Sequence, residues 1–338
     1  MQAFDRPDVS VPLRLLAACP AYRPTPLRRL AGLAGPAVMA KDETARMGLG
    51  SFKALGGVYA VFRILAEGAG MPATAETAAS PAFRRHAAAT TFVCASAGNH
   101  GLAVAAGAAL FGAAARVHLA ATVPESFAAR LRAKGAAVVR SGATYEESVA
   151  AAAADEAETG AIHLADGSWP GYVHRPGLVM EGYAVLADEL RAAFAASGSW
   201  PTHLFLQAGV GGMAGAIAHA VRRDWAVQPE IVVVEPDAAA CLKASAAAGR
   251  PVRADGPVSC MGRLDCKEPS IIAVALLREA GVRYAVVTDA QAEAACAALE
   301  AHDVRTTPSG AAGFAALQAS ALPENARALI VVSEGRAS

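Results

Sequence analysis

The sequence predicts an α/β protein of two doubly wound lobes with mainly parallel sheets and a cleft between them. The prediction rests on strand-like runs that are apolar on both faces, on the helix-like run that follows each, and on there being too many strands for one small sheet. Pro36 to Lys41 reads as a strand ending in polar DET. Ser51 then looks like a helix N-cap, with Phe52, Leu55, Tyr59 and Phe62 at helical spacing behind it. Thr90 to Ala95 is a second strand, followed by SAGNHG and the helix-like LAVAAGAALFG. RVHLAA, a helix from Pro124, AAVVR, a helix through Glu146 to Glu158, and AIHLAD continue the alternation, and one long helix is expected over Met180 to Ala195. The second half repeats the rhythm with HLFLQAG, a glycine turn, a helix to Trp225, EIVVVEP and its helix, YAVVTD and ALIVVSEG. Gly249 to Pro269 is the longest irregular segment, a candidate mobile loop or lid. The expected lobes are residues 1–57 with 177–338, the larger and cofactor-binding one, and 58–176, the smaller.

Composition narrows the function. The chain has 338 residues, 54% hydrophobic and 18% charged, which suits a large core and argues against disorder. Thirty basic residues balance thirty acidic ones, which argues against a nucleic-acid or anionic-membrane surface. Apolar runs such as Gly101 to Phe111 are too short to span a bilayer. The opening MQAFDRPDVS carries acids where a signal peptide carries basic residues, so a cytoplasmic protein is expected. Six cysteines stand at 19, 94, 241, 260, 266 and 296 without a C-x-x-C pair, so they read as loop or half-buried thiols, with no metal site.

Right-handed crossovers place the loops after the strands on one edge of each sheet, where ligands gather. DETARMGLGSFK, SAGNHG, ADGSW, QAGVGGMAG and VVSEG all fall at such turns. In AGVGGMAG, Ala208 to Gly215, glycines let backbone N–H groups crowd around an anion at a helix N-terminus, and phosphate is the natural guest. No Gly-Lys-Ser/Thr follows, and the spacing departs from the dinucleotide pattern, although Glu235 ends the next strand and keeps a dinucleotide site as an alternative. Lys53, in SFKALGG, sits in a first helical turn where the dipole disfavours a cation; it is either a surface lysine or a desolvated amine with a lowered pKa, nucleophilic toward carbonyls. In Ser96 to Gly101, small residues permit close backbone approach and Asn99 offers a donor and an acceptor. His100 is either catalytic or a structural histidine opening a helix, the second reading being favoured.

A lysine, then S-x-G-N, then a glycine-rich phosphate loop, then a late strand ending in serine together resemble the fold-type II pyridoxal phosphate (PLP) enzymes. That group contains threonine dehydratase, cysteine synthase and the tryptophan synthase β-chain. YRPTPLRRLAGLA (Tyr22 to Ala34), KDETARMGLGSFKALGGVYA, ADGSWPGY, GLVMEGYAVLADEL, FLQAGVGGMAG, VVVEPDAAACL, MGRLDCKEPS and the late SEG are similar to the 2,3-diaminopropionate ammonia-lyases over nearly the whole chain. The resemblance implies that PLP is the cofactor, carried covalently by Lys53, and that Lys53 later takes the substrate α-proton. It implies that Asn99 bonds the cofactor's phenolic oxygen, and that Gly209, Val210, Gly211, Gly212 and Met213 cradle its phosphate through backbone N–H groups. Ser333 would face the pyridine nitrogen; a hydroxyl there, in place of a carboxylate, weakens the electron sink and suits β-elimination. Asp166 matches an acidic residue that works on the substrate's amino groups; read alone, it is equally an Asx-turn or cap residue. The resemblance also implies a small amino-acid substrate and a homodimer.

Ala97 departs from the family, which carries there an aspartate that serves as base for the D-enantiomer; SAGNH reads like the dehydratases. Arg263, Asp265 and Glu268, in MGRLDCKEPS, are read either as selectors of substrate charge or as solvated loop residues. The expected reaction is elimination of ammonia from L-2,3-diaminopropionate, with Asp166 or water supplying the leaving group's proton. Dehydration of serine, threonine or a 3-hydroxy amino acid, β-replacement, and a catalytically silent PLP-binding protein stand as alternatives.

Overall fold

The computed structural model describes residues 4–32 and 35–336, so the last two residues of the YRPTPLRRLAGLA motif lie outside the described residues. The strands are β1 (Leu27–Leu30), β2 (Ala37–Asp42), β3 (Thr91–Ala95), β4 (Ala114–Leu119), β5 (Ala137–Arg140), β6 (Ile162–His163), β7 (His203–Gln207), β8 (Glu230–Pro236), β9 (Arg283–Val287) and β10 (Arg327–Val332). They form a six-stranded sheet, ordered β1-β2-β10-β7-β8-β9, and a four-stranded sheet, ordered β5-β4-β3-β6. Every pairing is parallel except β1 with β2. Central strands are buried almost throughout, as in β8 and β10, because helices cover both faces. The edge strands β5 and β9 stay partly exposed and carry Arg140 and Arg283, charges that discourage further pairing. All four strands of the smaller sheet fall within 58–176 and all six of the larger outside it, while 57/58 and 176/177 fall inside the helices Lys53–Gly68 and His174–Tyr183.

Those two helices cross at unusually close range. A Cβ on Gly182 would lie 2.5 Å from the Leu55 carbonyl oxygen, and one on Gly56 would lie 2.4 Å from the Val179 carbonyl oxygen. Only glycine permits this approach, which seats the Tyr183 ring edge-on against Phe52 at 4.9 Å. The long helix expected over Met180 to Ala195 is in fact two, His174–Tyr183 and Val185–Ser197. The break is at Ala184, two residues after Gly182, and its N–H is shared between the Met180 and Glu181 carbonyls. The first of them begins earlier than expected because Pro176, which reads as a breaker, lies in its first turn, where no N–H is needed. Ser51 is one residue outside the helix it was expected to cap, although its hydroxyl still accepts the Lys53 N–H at 3.3 Å.

The sequence reading also omits β1 and the helices Ser10–Ala17, Ala75–Ala79 and Pro81–Ala88. The last carries a legible signal, since the Ser80 hydroxyl accepts the Phe83 N–H and Pro81 occupies the first helical position. The 249–269 segment contains no helix or strand, yet it is anchored. Met261 and Leu264 are buried with Phe205 and Val232, and Lys267 Nζ donates to the Ala238 and Pro257 carbonyls at 2.8 Å each.

Gly56→Ala is expected to lose about 1–3 kcal/mol of stability through overpacking at the crossing. Gly177→Ala, on the same helix pair but with nothing within 4 Å of its Cβ, is expected to change stability by less than about 1 kcal/mol in urea titration.

Candidate active site

The loop after β2 delivers Lys53. Asp42 starts it with an Asx-turn, its carboxylate accepting from the Thr44 N–H at 3.0 Å and hydroxyl at 2.6 Å. Arg46 then locks the loop: fully buried, it bonds Glu43 from Nε at 2.7 Å and Glu189 from Nη1 at 2.7 Å, and Lys41 pairs with the same Glu189. Two cations and two anions balance inside the core, so no charge there is left uncompensated.

Lys53 Nζ donates to Asp166, which follows β6 of the smaller sheet, so the pair joins the loops of the two sheets. The two side chains keep 21% and 24% exposure, enough for a small molecule to reach them. The ammonium also faces the rings of Phe52 at 5.1 Å and Tyr183 at 5.4 Å. Burial would push the Lys53 amine down, but the Asp166 carboxylate overrides it and the net shift is upward. The lowered pKa expected for Lys53 is therefore corrected: desolvation acts, and the partner charge outweighs it. Burial likewise works to raise Asp166, while Lys53 pulls it well below the usual carboxylate range.

The loop after β6 is braced. The Tyr172 hydroxyl donates to the His163 carbonyl at 2.7 Å and accepts from the Ala165 N–H at 3.0 Å, and the ring stacks on Trp169 at 4.2 Å. His100 is buried, its Nε2 at 2.8 Å from the Leu164 carbonyl, and burial lowers its pKa, so the imidazole is neutral and positioned by the backbone.

The glycine loop stands beside this pair. A Cβ on Gly212 would lie 3.7 Å from the Asp166 carbonyl oxygen and 3.6 Å from the Tyr183 ring. Gly211 has φ +97° and a Cβ there would meet Ala273 at 2.8 Å; at Gly209 it would meet the Cys266 sulfur at 2.9 Å. The helix Gly212–Asp224 begins at this point, so the first-turn N–H groups of Gly212 and Met213 have no helical carbonyl to bond. Ser333 directly follows β10, its backbone carbonyl accepting from the Phe52 N–H at 3.1 Å, and its hydroxyl makes no hydrogen bond among the described residues. Asn99 donates from Nδ2 to Glu334, leaving its second N–H and its oxygen available. Ala97 presents only a methyl group in the turn before Asn99.

Residues 18–334 match the family described as pyridoxal-phosphate dependent enzyme. The chain belongs to that family. A diaminopropionate ammonia-lyase of Salmonella typhimurium is 35% identical over 272 residues, covering 77% of this chain and 67% of its own. The corresponding enzyme of Escherichia coli K12 is 32% identical over 278 residues, covering 80% and 69%. A probable D-serine dehydratase of Burkholderia thailandensis is 29% identical over 253 residues, covering 70% and 55%. Among solved structures, the Escherichia coli diaminopropionate ammonia-lyase with an aminoacrylate–PLP azomethine reaction intermediate superposes with a TM-score of 0.83 at 28% identity, covering 97% of this chain and 88% of that one. A T.th. threonine deaminase superposes with a TM-score of 0.80 at 25% identity, covering 98% and 97%.

The protein is thus a PLP-dependent ammonia-lyase of fold type II, and its cofactor is PLP. The residues present fit that group: an amine reachable from the cleft, a glycine cradle for a phosphate, an unengaged hydroxyl at Ser333 and a spare donor at Asn99. The dinucleotide alternative fails, because Glu235 is fully buried and accepts the Leu242 and Lys243 N–H groups at 2.7 and 2.8 Å, capping a helix. The sequence reading assigns no chemistry to Glu334, Tyr183, Arg130 or Tyr145. The first two lie within quoted motifs, whereas Arg130 and Tyr145 come near the site only through the fold.

Burial pushes the Glu235 carboxyl up to about 7, against the pull of its two backbone donors. A carboxyl raised on folding stabilises the protein while protonated, fully below its unfolded value, and that contribution is lost as pH climbs through about 7. Glu235→Gln is therefore expected to gain about 1–3 kcal/mol relative to wild type between pH 5 and pH 8, read from urea midpoints at both ends.

Proposed function

We propose that the protein eliminates ammonia from L-2,3-diaminopropionate, giving pyruvate and two ammonia. The observation that carries this reading is the Asp166 carboxylate, held ionised in the cleft and bound to the Lys53 ammonium. A carboxylate that holds one alkylammonium can hold another, and the substrate's β-ammonium is such a group. The ammonia-lyase names of the relatives from Salmonella and Escherichia coli support the same substrate.

PLP, when bound, supplies an electron sink for the bond electrons at the substrate's α-carbon. Lys53 would hold it covalently, Gly209, Val210, Gly211, Gly212 and Met213 would receive its phosphate, Asn99 its phenolic oxygen and Ser333 its pyridine nitrogen. Lys53, displaced by the substrate amine, is the base for the α-proton. A lysine paired with a carboxylate is a poor base, and here the substrate resolves the conflict. Once Asp166 turns to the β-ammonium, the charge that raised Lys53 is engaged elsewhere, and burial pushes the amine down toward a usable base. Asp166, held far below the usual carboxylate range, is a poor proton donor. It instead keeps the leaving amine protonated, so the C–N bond breaks to release neutral ammonia without a separate acid.

Serine dehydration is the second reading, favoured by Ala97 and by the dehydratase relative. It needs a proton for a leaving hydroxide, which an ionised Asp166 supplies badly. Ala97 also removes the carboxylate opposite Lys53 that would serve a D-substrate, so the activity is proposed to be confined to the L-isomer. The proposed assembly is a homodimer, as the family resemblance implies, and the proposed location is the cytoplasm.

Purified protein is expected to show a visible cofactor band that Lys53→Ala abolishes, and to yield two ammonia per pyruvate from the L-substrate. One ammonia per pyruvate, obtained from serine alone, would transfer the assignment to the dehydratase reading. Asp166→Asn is expected to lower kcat/KM for diaminopropionate at least about 100-fold. D-2,3-diaminopropionate is expected to turn over at less than about 1% of the L-rate, since the missing group is an acid–base catalyst; equal rates would refute the role given to Ala97.

A further inference from the structure

The helix Ile271–Ala280, which leads into β9 of the larger sheet, is capped from elsewhere in the fold. Ser270 stands at its N-cap, extended and buried, where a serine hydroxyl ordinarily accepts an N–H from the helix's own first turn. The Ser270 hydroxyl makes no such bond. The cap comes instead from the loop after β6 of the smaller sheet: the buried Ser168 hydroxyl accepts the Ile272 N–H at 3.0 Å. Ser270 turns its own hydroxyl to Ser168. The two hydroxyls share a hydrogen bond at 2.6 Å, and the Ser270 hydroxyl also accepts the Ser168 N–H at 3.3 Å. The Ser168 carbonyl accepts the Ile271 N–H at 3.1 Å. Every polar group of Ser168, backbone and side chain, is thus engaged by residues 270–272.

This joint lies between the two halves of the site. On one side, the Ser270 N–H donates to the Val210 carbonyl of the glycine cradle at 2.9 Å. Ala273, three residues on, packs so closely on Gly211 that a Cβ there would meet it at 2.8 Å. On the other side, Ser168 is two residues from Asp166, and a Cβ on Gly167 between them would lie 3.8 Å from the Val210 side chain. Tyr172 and Trp169 brace the same loop against its own strand, β6. The serine pair fixes it to the cradle beside the other sheet. Buried hydroxyls that lose their partners are costly, so the loop has one favoured seat.

We propose that Ser168 and Ser270 are positioning residues for the elimination, their hydroxyl bridge setting where Asp166 stands relative to the phosphate cradle and Lys53. The proposal rests on the reading of Asp166 as the group that engages the substrate, and adds how its place is held. Asp166 must face Lys53 and then the substrate's cationic group. A shift of about 1 Å at such a group costs on the order of 100-fold in rate. The cradle keeps its own N–H donors whether or not the bridge is present, so the bridge serves turnover and not cofactor binding.

The test uses holoenzyme carrying Ser270→Ala or Ser168→Ala, each alone and combined with Asp166→Asn. Ser270→Ala is the milder cut, because Ser168 still accepts the Ile272 N–H and the helix keeps its cap. kcat and KM are measured at saturating PLP with L-2,3-diaminopropionate, or with L-serine where the ammonia yield selects it, and PLP affinity is measured by fluorescence. Ser270→Ala is expected to lower kcat at least about tenfold with KM within about threefold, and Ser168→Ala to lower it at least as much. PLP affinity is expected to stay within about threefold of wild type. In the Asp166→Asn background, Ser270→Ala is expected to cost less than about threefold more, because the group it positions is already gone. A loss that persists in full beside Asp166→Asn, an unchanged kcat in Ser270→Ala, or a fall in PLP affinity that matches the fall in kcat would overturn this proposal alone. A wild-type kcat in Asp166→Asn, or no turnover of either amino acid, would overturn it together with the reading it rests on. If Ser270→Ala gives no folded holoenzyme, Ser270→Cys, similar in shape but a weak donor, decides by the same cycle: kcat must fall at least about threefold, and by less than about twofold beside Asp166→Asn.

Discussion

The Lys53–Asp166 ion pair is the interaction on which the site depends. It joins the loop after β2 of the larger sheet to the loop after β6 of the smaller one, and it sets the protonation of both groups. A lysine in the first turn of a helix is unfavourable in isolation, because the dipole and desolvation both oppose its charge. Asp166 compensates for both, and the Phe52 and Tyr183 rings add their faces. On the proposed mechanism, Lys53 freed by the substrate amine meets an Asp166 carboxylate that the substrate's cationic group has already engaged. Recognition and activation of the base become one event.

Packing elsewhere fixes where these two side chains stand. The Gly56–Gly182 crossing brings the Lys53–Gly68 and His174–Tyr183 helices into backbone contact and aims Tyr183 at Lys53. The Lys41–Glu43–Arg46–Glu189 cluster immobilises the loop from the other side. Its charges are costly to bury, and breaking one pair leaves another charge without a partner. The stacked Trp169 and Tyr172 do the same for Asp166. Rigid supports on both sides explain how a reactive pair keeps its geometry at the meeting point of two sheets.

Much of this was legible in the sequence, for identifiable reasons. Two-sided apolar strands and their helices have a strong period, so the two sheets were readable from β2, β3, β7, β8 and β10. Lys53, Asp166, Asn99 and the glycine loop fall at strand-to-helix turns, where motif and topology agree. The Ala184 break was not readable, because it arises from contact with a distant helix and Ala184 itself is a good helix former. The sign of the Lys53 shift was hidden for a similar reason: burial is visible in an apolar context, but the partner lies 113 positions away. Arg263 was singled out together with Asp265 and Glu268, yet its tie to Glu334 and the pairing of Asp265 with Lys267 needed the fold.

The central claim is that Asp166 controls the basicity of Lys53. The direct measurement is the titration of Lys53 in cofactor-free protein, by reductive methylation with 13C-formaldehyde and NMR, in wild type and Asp166→Asn. The Lys53 resonance should titrate above an ordinary lysine in wild type and markedly lower in Asp166→Asn, where burial is no longer opposed by the carboxylate. The same titration in both proteins, or a lowered value already present in wild type, would contradict the control assigned to Asp166.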